Sequence, residues 1–130
     1  MSGPEGVEVG GLSGAPERRL ALQDAISAGR HVLKLSGELD VATAPDLQAA
    51  VVRICSSRTR IVTLDLRKLA FMDSSGLAAI IAASKLCRNL AYEFRLIPGP
   101  PAVQRVFELT GVLDRLRFER AAAGASIARA

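Results

Sequence analysis

The sequence predicts one α/β domain with crossover connections. Its 130 residues are enough for a single buried core and too few for two. Apolar, β-branched stretches of strand length alternate along the chain with stretches of helical periodicity. Gly, Pro, Ser or Asp residues mark most changes of period. Apolar residues make up 49% and charged residues 23%, a globular composition, while aromatics at 4% leave the core to aliphatic side chains.

Residues 1–17 are rich in Gly, Pro and Ser without apolar periodicity and are expected to form a flexible N-terminal tail. The domain is expected over 18–119. A C-terminal tail follows over 120–130, where alanines interrupted by Gly124 favour at most a loose helix. Residues 19–25 and 31–37 read as two strands of a hairpin turning near Ser27-Ala28-Gly29, with Leu33 and Leu35 on one face of the second. Thr43-Ala44-Pro45-Asp46 then opens a helix. The threonine is the expected cap, the proline gives up only a free N–H, and the acid meets the positive end of the helix dipole.

Leu47, Ala50, Val51 and Ile54 repeat at helical spacing and define the buried stripe of that helix. Residues 61–66 read as a buried strand, and a second helix spans about 75–90. Ala79, Ile80, Ala83, Leu86, Cys87 and Leu90 cluster on its predicted core side, whereas Ala78, Ile81 and Ala82 fall on or beside the side of Lys85. Residues 92–97 form a further strand. Pro98-Gly99-Pro100-Pro101 punctuates before a helix with Val103, Val106, Phe107 and Thr110 on one face, ended by Gly111. Residues 113–118 add a short edge strand or a last helical turn.

Several functions are disfavoured by composition. The net charge of +4 comes from scattered basic residues without interleaved aromatics, which describes a solvated surface better than a nucleic-acid groove. No apolar run approaches the roughly 18 residues of a membrane span. The first residues lack the basic and apolar regions of a signal peptide, so a cytoplasmic protein without a membrane partner is expected. Cys55 and Cys87 have no metal-ligand spacing; one lies on the flank of its helix and the other on a core stripe, so both are expected to be inert structural thiols. His31, the only histidine, is expected at the surface at a strand end. A serine hydrolase needs a base beside its nucleophile and commonly G-x-S-x-G, which is missing, as are both common glycine-rich phosphate loops. No catalytic residue, cofactor or metal ligand is predicted.

The most informative segment is Phe71-Met72-Asp73-Ser74-Ser75-Gly76-Leu77, which joins strand to helix through an acid and two hydroxyls. By residue type, Asp73, Ser74 or Ser75 caps the helix and Gly76 admits another backbone. A phosphoacceptor serine suits the same place, since phosphate at a helix start changes charge without breaking the fold. Asp40, ahead of Thr43, reads as a turn-former.

This segment comes after Leu35-Ser36-Gly37-Glu38-Leu39-Asp40 and before Pro101-Ala102-Val103-Gln104-Arg105-Val106-Phe107 with Thr110-Gly111. In that order and spacing, over about residues 19–118, the three motifs resemble the STAS domain of bacterial anti-sigma factor antagonists. The resemblance implies a single STAS-type domain, a mixed central β-sheet of four to five strands with helices packed against it. It implies that Ser74 is phosphorylated by a partner, an anti-sigma factor with serine kinase activity. The unphosphorylated protein would bind that partner, freeing a sigma factor, and the phosphorylated one would let go until a serine phosphatase resets it. The Asp40 loop would lie beside the phosphorylation turn. The partner-facing residues would be Asp40, Asp73, Ser75, Gly76, Ala78, Ile81, Ala82 and Lys85. A STAS scaffold subunit of a signalling assembly and an accessory STAS subunit of a lipid transporter are the rival roles. Asn89-Leu90-Ala91-Tyr92 departs from the family pattern, in which a glycine often ends the second helix.

Overall fold

The computed structural model describes residues 20–119; the tails expected at 1–17 and 120–130 lie outside the described residues. Ala28 and Gly29 both take positive φ, 53° and 77°, and this two-residue turn reverses the chain between β1 (Ala21–Ser27) and β2 (Arg30–Leu39). There follow α1 (Ala44–Ile54), β3 (Ile61–Met72), α2 (Ser74–Asn89), β4 (Glu93–Ile97) and α3 (Pro101–Thr110). The sheet order is β1-β2-β3-β4, antiparallel in the first pair and parallel in the other two. It is the mixed four-stranded sheet of an α/β domain.

Leu33, Leu64 and Leu96 stand abreast on β2, β3 and β4, and all are fully buried. Parallel partners share a face, so this row floors the core on the side where the helices pack. Helix α1 contributes Leu47, Ala50, Val51 and Ile54, as its periodicity predicts. Helix α2 packs against both α1 and α3. Phe107 of α3 meets Phe118 edge-on, with ring centroids 5.1 Å apart. Residues 113–118 combine both expected forms: a 3-10 turn over Leu113–Arg115, then a single parallel bridge from Phe118 to Leu96.

The other face of the sheet is polar. Thr63 and Asp65 alternate with the core leucines of β3 and are buried nonetheless. Asp65 accepts hydrogen bonds from the Arg67 guanidinium at 3.0 and 2.8 Å and from its amide at 3.1 Å. Burial alone would raise the Asp65 pKa, but these hydrogen bonds and the charges of Arg67 and Lys34 outweigh it and hold the carboxyl below its ordinary value. Beside this pair, Glu119 is bound by Arg30 at 2.7 Å and Arg95 at 3.4 Å, and Glu93 by Arg95 and Arg117.

Four local expectations are corrected. The third strand runs on to Met72 instead of ending at 66, because residues 68–72 pair with residues 36–39 of β2 across two shifts of register. Such irregularities disrupt alternation, so no period of two marks the extension. The core stripe of α2 is turned toward Leu77 and Ser84, both buried, while Leu90 is the C-cap and 45% exposed. Thr43 begins α1 without capping it: its hydroxyl faces the preceding loop, donating to the Glu38 carbonyl at 2.9 Å and accepting from the Asp40 amide at 3.0 Å. His31 is buried, 6% exposed, because β1 and the α1–β3 loop close over the end of β2.

The end of α2 carries the departure from the family glycine. The amide of Tyr92 bonds to the Cys87 carbonyl at 2.7 Å and that of Ala91 to the Arg88 carbonyl at 3.1 Å. This is the Schellman pattern, and Ala91 completes it at φ 64°, the left-handed conformation that glycine adopts more readily.

Candidate functional site

Because β2 and β3 are parallel and Leu39 pairs with Met72 at their last rung, both strands deliver their following loops to one rim of the sheet. The Asp73 amide donates to the Leu39 carbonyl at 3.3 Å, which ties the two loops together. Asp73 itself is extended, φ −111° and ψ −170°, and its Oδ1 accepts from the Gly76 amide at 3.0 Å. It is the N-cap of α2. A Cβ on Gly76 would stand 2.4 Å from the Leu39 carbonyl oxygen and 2.8 Å from Met72 Cγ. The glycine therefore admits the neighbouring backbone, and being buried it shapes the turn without offering surface to a partner.

With the acid occupied as the cap, the two hydroxyls are left over. Ser74 is the first residue of α2 and exposed; Ser75 is half-buried. Among the described residues neither side chain has a hydrogen-bond partner. Their amides lie in the first turn, where no helical carbonyl precedes them, so the backbone presents positive partial charge beside Ser74 Oγ. Asp40 Oδ1 accepts from the amides of Ala42 and Thr43 at 3.0 and 3.2 Å, and its carbonyl accepts from Ala44 at 2.8 Å. Asp40 is thus a turn-former in the adjacent loop, with no hydrogen bond to Ser74 among the described residues.

Along α2, Ser74, Ala78, Ala82 and Lys85 follow at helical spacing and are all exposed. Ile81, half-buried, leans from this stripe into the core. A groove of about 150 Å³ flanks the stripe on the α1 side, lined by Val51, Val52, Ala82 and Leu86 among others. A smaller recess of about 40 Å³, with Lys85, Arg88 and Arg115 at its wall, flanks the other side. The surface is small and apolar near Ser74 and cationic farther along. Sequence reasoning missed Val52, 55% exposed, and Arg115. Val52 carried a signal, being an apolar residue off the α1 stripe; Arg115 is brought to α2 by the chain beyond α3, which no local pattern announces.

The turn holds two hydroxyls and an acid engaged as the helix cap, and no histidine. At the opposite end of β2, His31 Nδ1 lies 2.9 Å from Asp24 Oδ1 and Nε2 lies 3.0 Å from Ser57 Oγ. That is the atom order of a hydrolase relay. Ser57 Oγ is also bonded to Thr59 Oγ1 at 2.9 Å, and Tyr92 Oη reaches the Ser57 and Cys55 carbonyls at 2.7 and 2.9 Å, so the group pins the α1–β3 loop to the hairpin. No cluster of metal-ligating side chains occurs among the described residues, and none of their helices is long and apolar enough to cross a membrane.

A profile of the STAS domain matches residues 22–125, and this span includes the whole turn and both flanking loops. The chain belongs to the STAS domain family. The anti-sigma-B factor antagonist of Staphylococcus aureus strain NCTC 8325 / PS 47 is 30% identical over 84 residues, covering 65% of this chain and 78% of that protein. The protein of the same name from Staphylococcus epidermidis is 29% identical over the same shares. Among solved structures, an anti-sigma factor antagonist from Mycobacterium paratuberculosis has a TM-score of 0.73 at 24% identity over 82% of this chain and 90% of that one. The anti-sigma factor antagonist SpoIIAA in its unphosphorylated form has a TM-score of 0.65 at 21% identity over 84% of this chain and 100% of that one. At these identities the structural likeness establishes the STAS fold.

Proposed function

We propose that this STAS protein is an anti-sigma factor antagonist whose partner is an anti-sigma factor with serine kinase activity, and that phosphorylation of Ser74 ends the complex. One observation carries the reading: the Ser74 hydroxyl is exposed at the start of α2 and has no hydrogen-bond partner among the described residues, while Asp73 performs the capping that could otherwise occupy it. The partner rests on the stripe Ala78, Ala82 and Lys85, with Ile81 and Ser75 at its margin and the Asp40 loop beside the Ser74 end. Asp73 and Gly76 act indirectly, by fixing the turn. The names of the staphylococcal relatives support the partner class.

The switch is electrostatic. Phosphate adds about −1.5 to −2 charges at pH 7. The positive end of α2 accepts that charge without unfolding, whereas an acidic or apolar partner surface set against it is repelled or left desolvated. A serine phosphatase restores the binding form. The protein works in the cytoplasm as a substrate of the kinase and not as an enzyme; Asp73, the acid of the turn, is engaged as the helix cap. The test is a pull-down from native cytosol with the protein and with Ser74→Asp. The anti-sigma factor should be retained by the first and lost from the second; retention by both would contradict the switch and fit a scaffold.

A further inference from the structure

The sequence separates Cys55 and Cys87 by 32 positions, but the fold brings their sulfurs to 3.7 Å. Cys55 is the C-cap of α1 and half-buried; Cys87 is fully buried on the inner side of α2. Solvent reaches the pair at Cys55, which is only half-buried, while Val51 and Ala83, one turn before, line a groove between the same two helices. A disulfide requires about 2.05 Å between the sulfurs, so the two stand roughly 1.7 Å beyond bonding distance. Tyr92 holds the Cys55 carbonyl at 2.9 Å and keeps that terminus beside α2.

We propose that Cys55 and Cys87 form an oxidative modification site, a thiol pair that hydrogen peroxide converts to a disulfide stapling α1 to α2. The two thiols have distinct parts. Burial, reinforced by the neighbouring Cys55, pushes Cys87 up to about 12, so it does not supply the attacking thiolate. Cys55, the more accessible, attacks a peroxide oxygen; the O–O bond breaks, a sulfenic acid forms and water leaves. Cys87 sulfur then attacks the sulfenic sulfur, its proton leaves with the hydroxyl as a second water, and the S–S bond closes. The two thiols lose two electrons and one peroxide is reduced to two waters. This step depends on no reading of the partner.

The test uses the full chain under native conditions. The reduced protein is treated with a small excess of hydrogen peroxide, alkylated, and digested with trypsin without reduction. The expected product joins the peptide of residues 54–58 to that of residues 86–88, two hydrogens lighter than their sum. Its melting temperature should rise by at least about 5 °C and return on adding dithiothreitol. In Cys87→Ala, dimedone should trap Cys55 as the sulfenic acid. Both thiols remaining free, Cys55 passing to sulfinic acid in the unmutated protein, or Cys55 linking two chains would each overturn the proposal.

Discussion

Gly76 is packed so tightly on Leu39 that a Cβ would stand 2.4 Å from the Leu39 carbonyl oxygen. The obstacle is backbone, held in turn by the Asp73 amide at 3.3 Å, so it cannot yield as a flexible side chain would. Gly76→Ala should therefore displace the start of α2 from the end of β2. The expected loss is about 2–3 kcal/mol in denaturant unfolding. An unchanged midpoint would mean that the two loops are less rigidly joined than the structure has them.

Ala91 presents the opposite case. It completes the helix-ending motif at φ 64°, where an L-residue is strained and glycine is not. Ala91→Gly should stabilise the protein by about 0.5–1 kcal/mol, the relief of strain exceeding the extra freedom glycine gives the unfolded chain. A higher urea midpoint is the expected result; a lower one would contradict the left-handed assignment.

The Asp65–Arg67 pair predicts a pH dependence with a definite sign. The folded pKa of Asp65 is lowered, so its contribution is present above the ordinary carboxylate range and is lost as pH falls through that lowered value. Arg67→Ala removes the two guanidinium hydrogen bonds and their charge, leaving only the backbone amide and Lys34 to oppose burial of the same group. Arg67 is 53% exposed, and after discounting for solvent the cost at pH 7 should be about 1 kcal/mol. Acid titrations of both proteins should show the gap closing as pH falls; a gap constant with pH would reject the pairing.

The same pair marks where the sequence stops being legible. Asp73 was readable as a cap and Gly76 as a point of close approach because both are local requirements of one turn. The α1 stripe was readable because Leu47, Ala50, Val51 and Ile54 obey one period. Residues 61–66 read as a buried strand, yet nothing local to that strand names the Arg30 and Arg67 groups that satisfy Thr63 and Asp65 within it. His31 is hidden for the same reason, its partners coming from β1 and the α1–β3 loop. The Ser84 side of α2 was missed because a serine and alanines weigh little in an apolar count, while Leu90 drew the predicted stripe toward itself.

The docking face of α2 makes a separate prediction. Ala82 is exposed and lies between the Ser74 end and Lys85, at the lip of the groove beside α1. Ala82→Glu places volume and an unpaired charge at the proposed interface without touching the core stripe. Binding to the kinase partner should weaken at least about tenfold, or ~1.4 kcal/mol, with the melt unchanged. Normal binding would reject the face, and unfolding would mean that Ala82 is not on the outer side.

The central claim is that one phosphate on Ser74 separates the partners. The direct measurement is a calorimetric titration of the kinase partner with the protein before and after stoichiometric phosphorylation, the modified residue being located by peptide mass spectrometry. Phosphate should be found on Ser74 and affinity reduced at least about tenfold, with circular dichroism unchanged. Phosphate on Ser75 with Ser74 untouched, or equal affinity of the two forms, would contradict the claim.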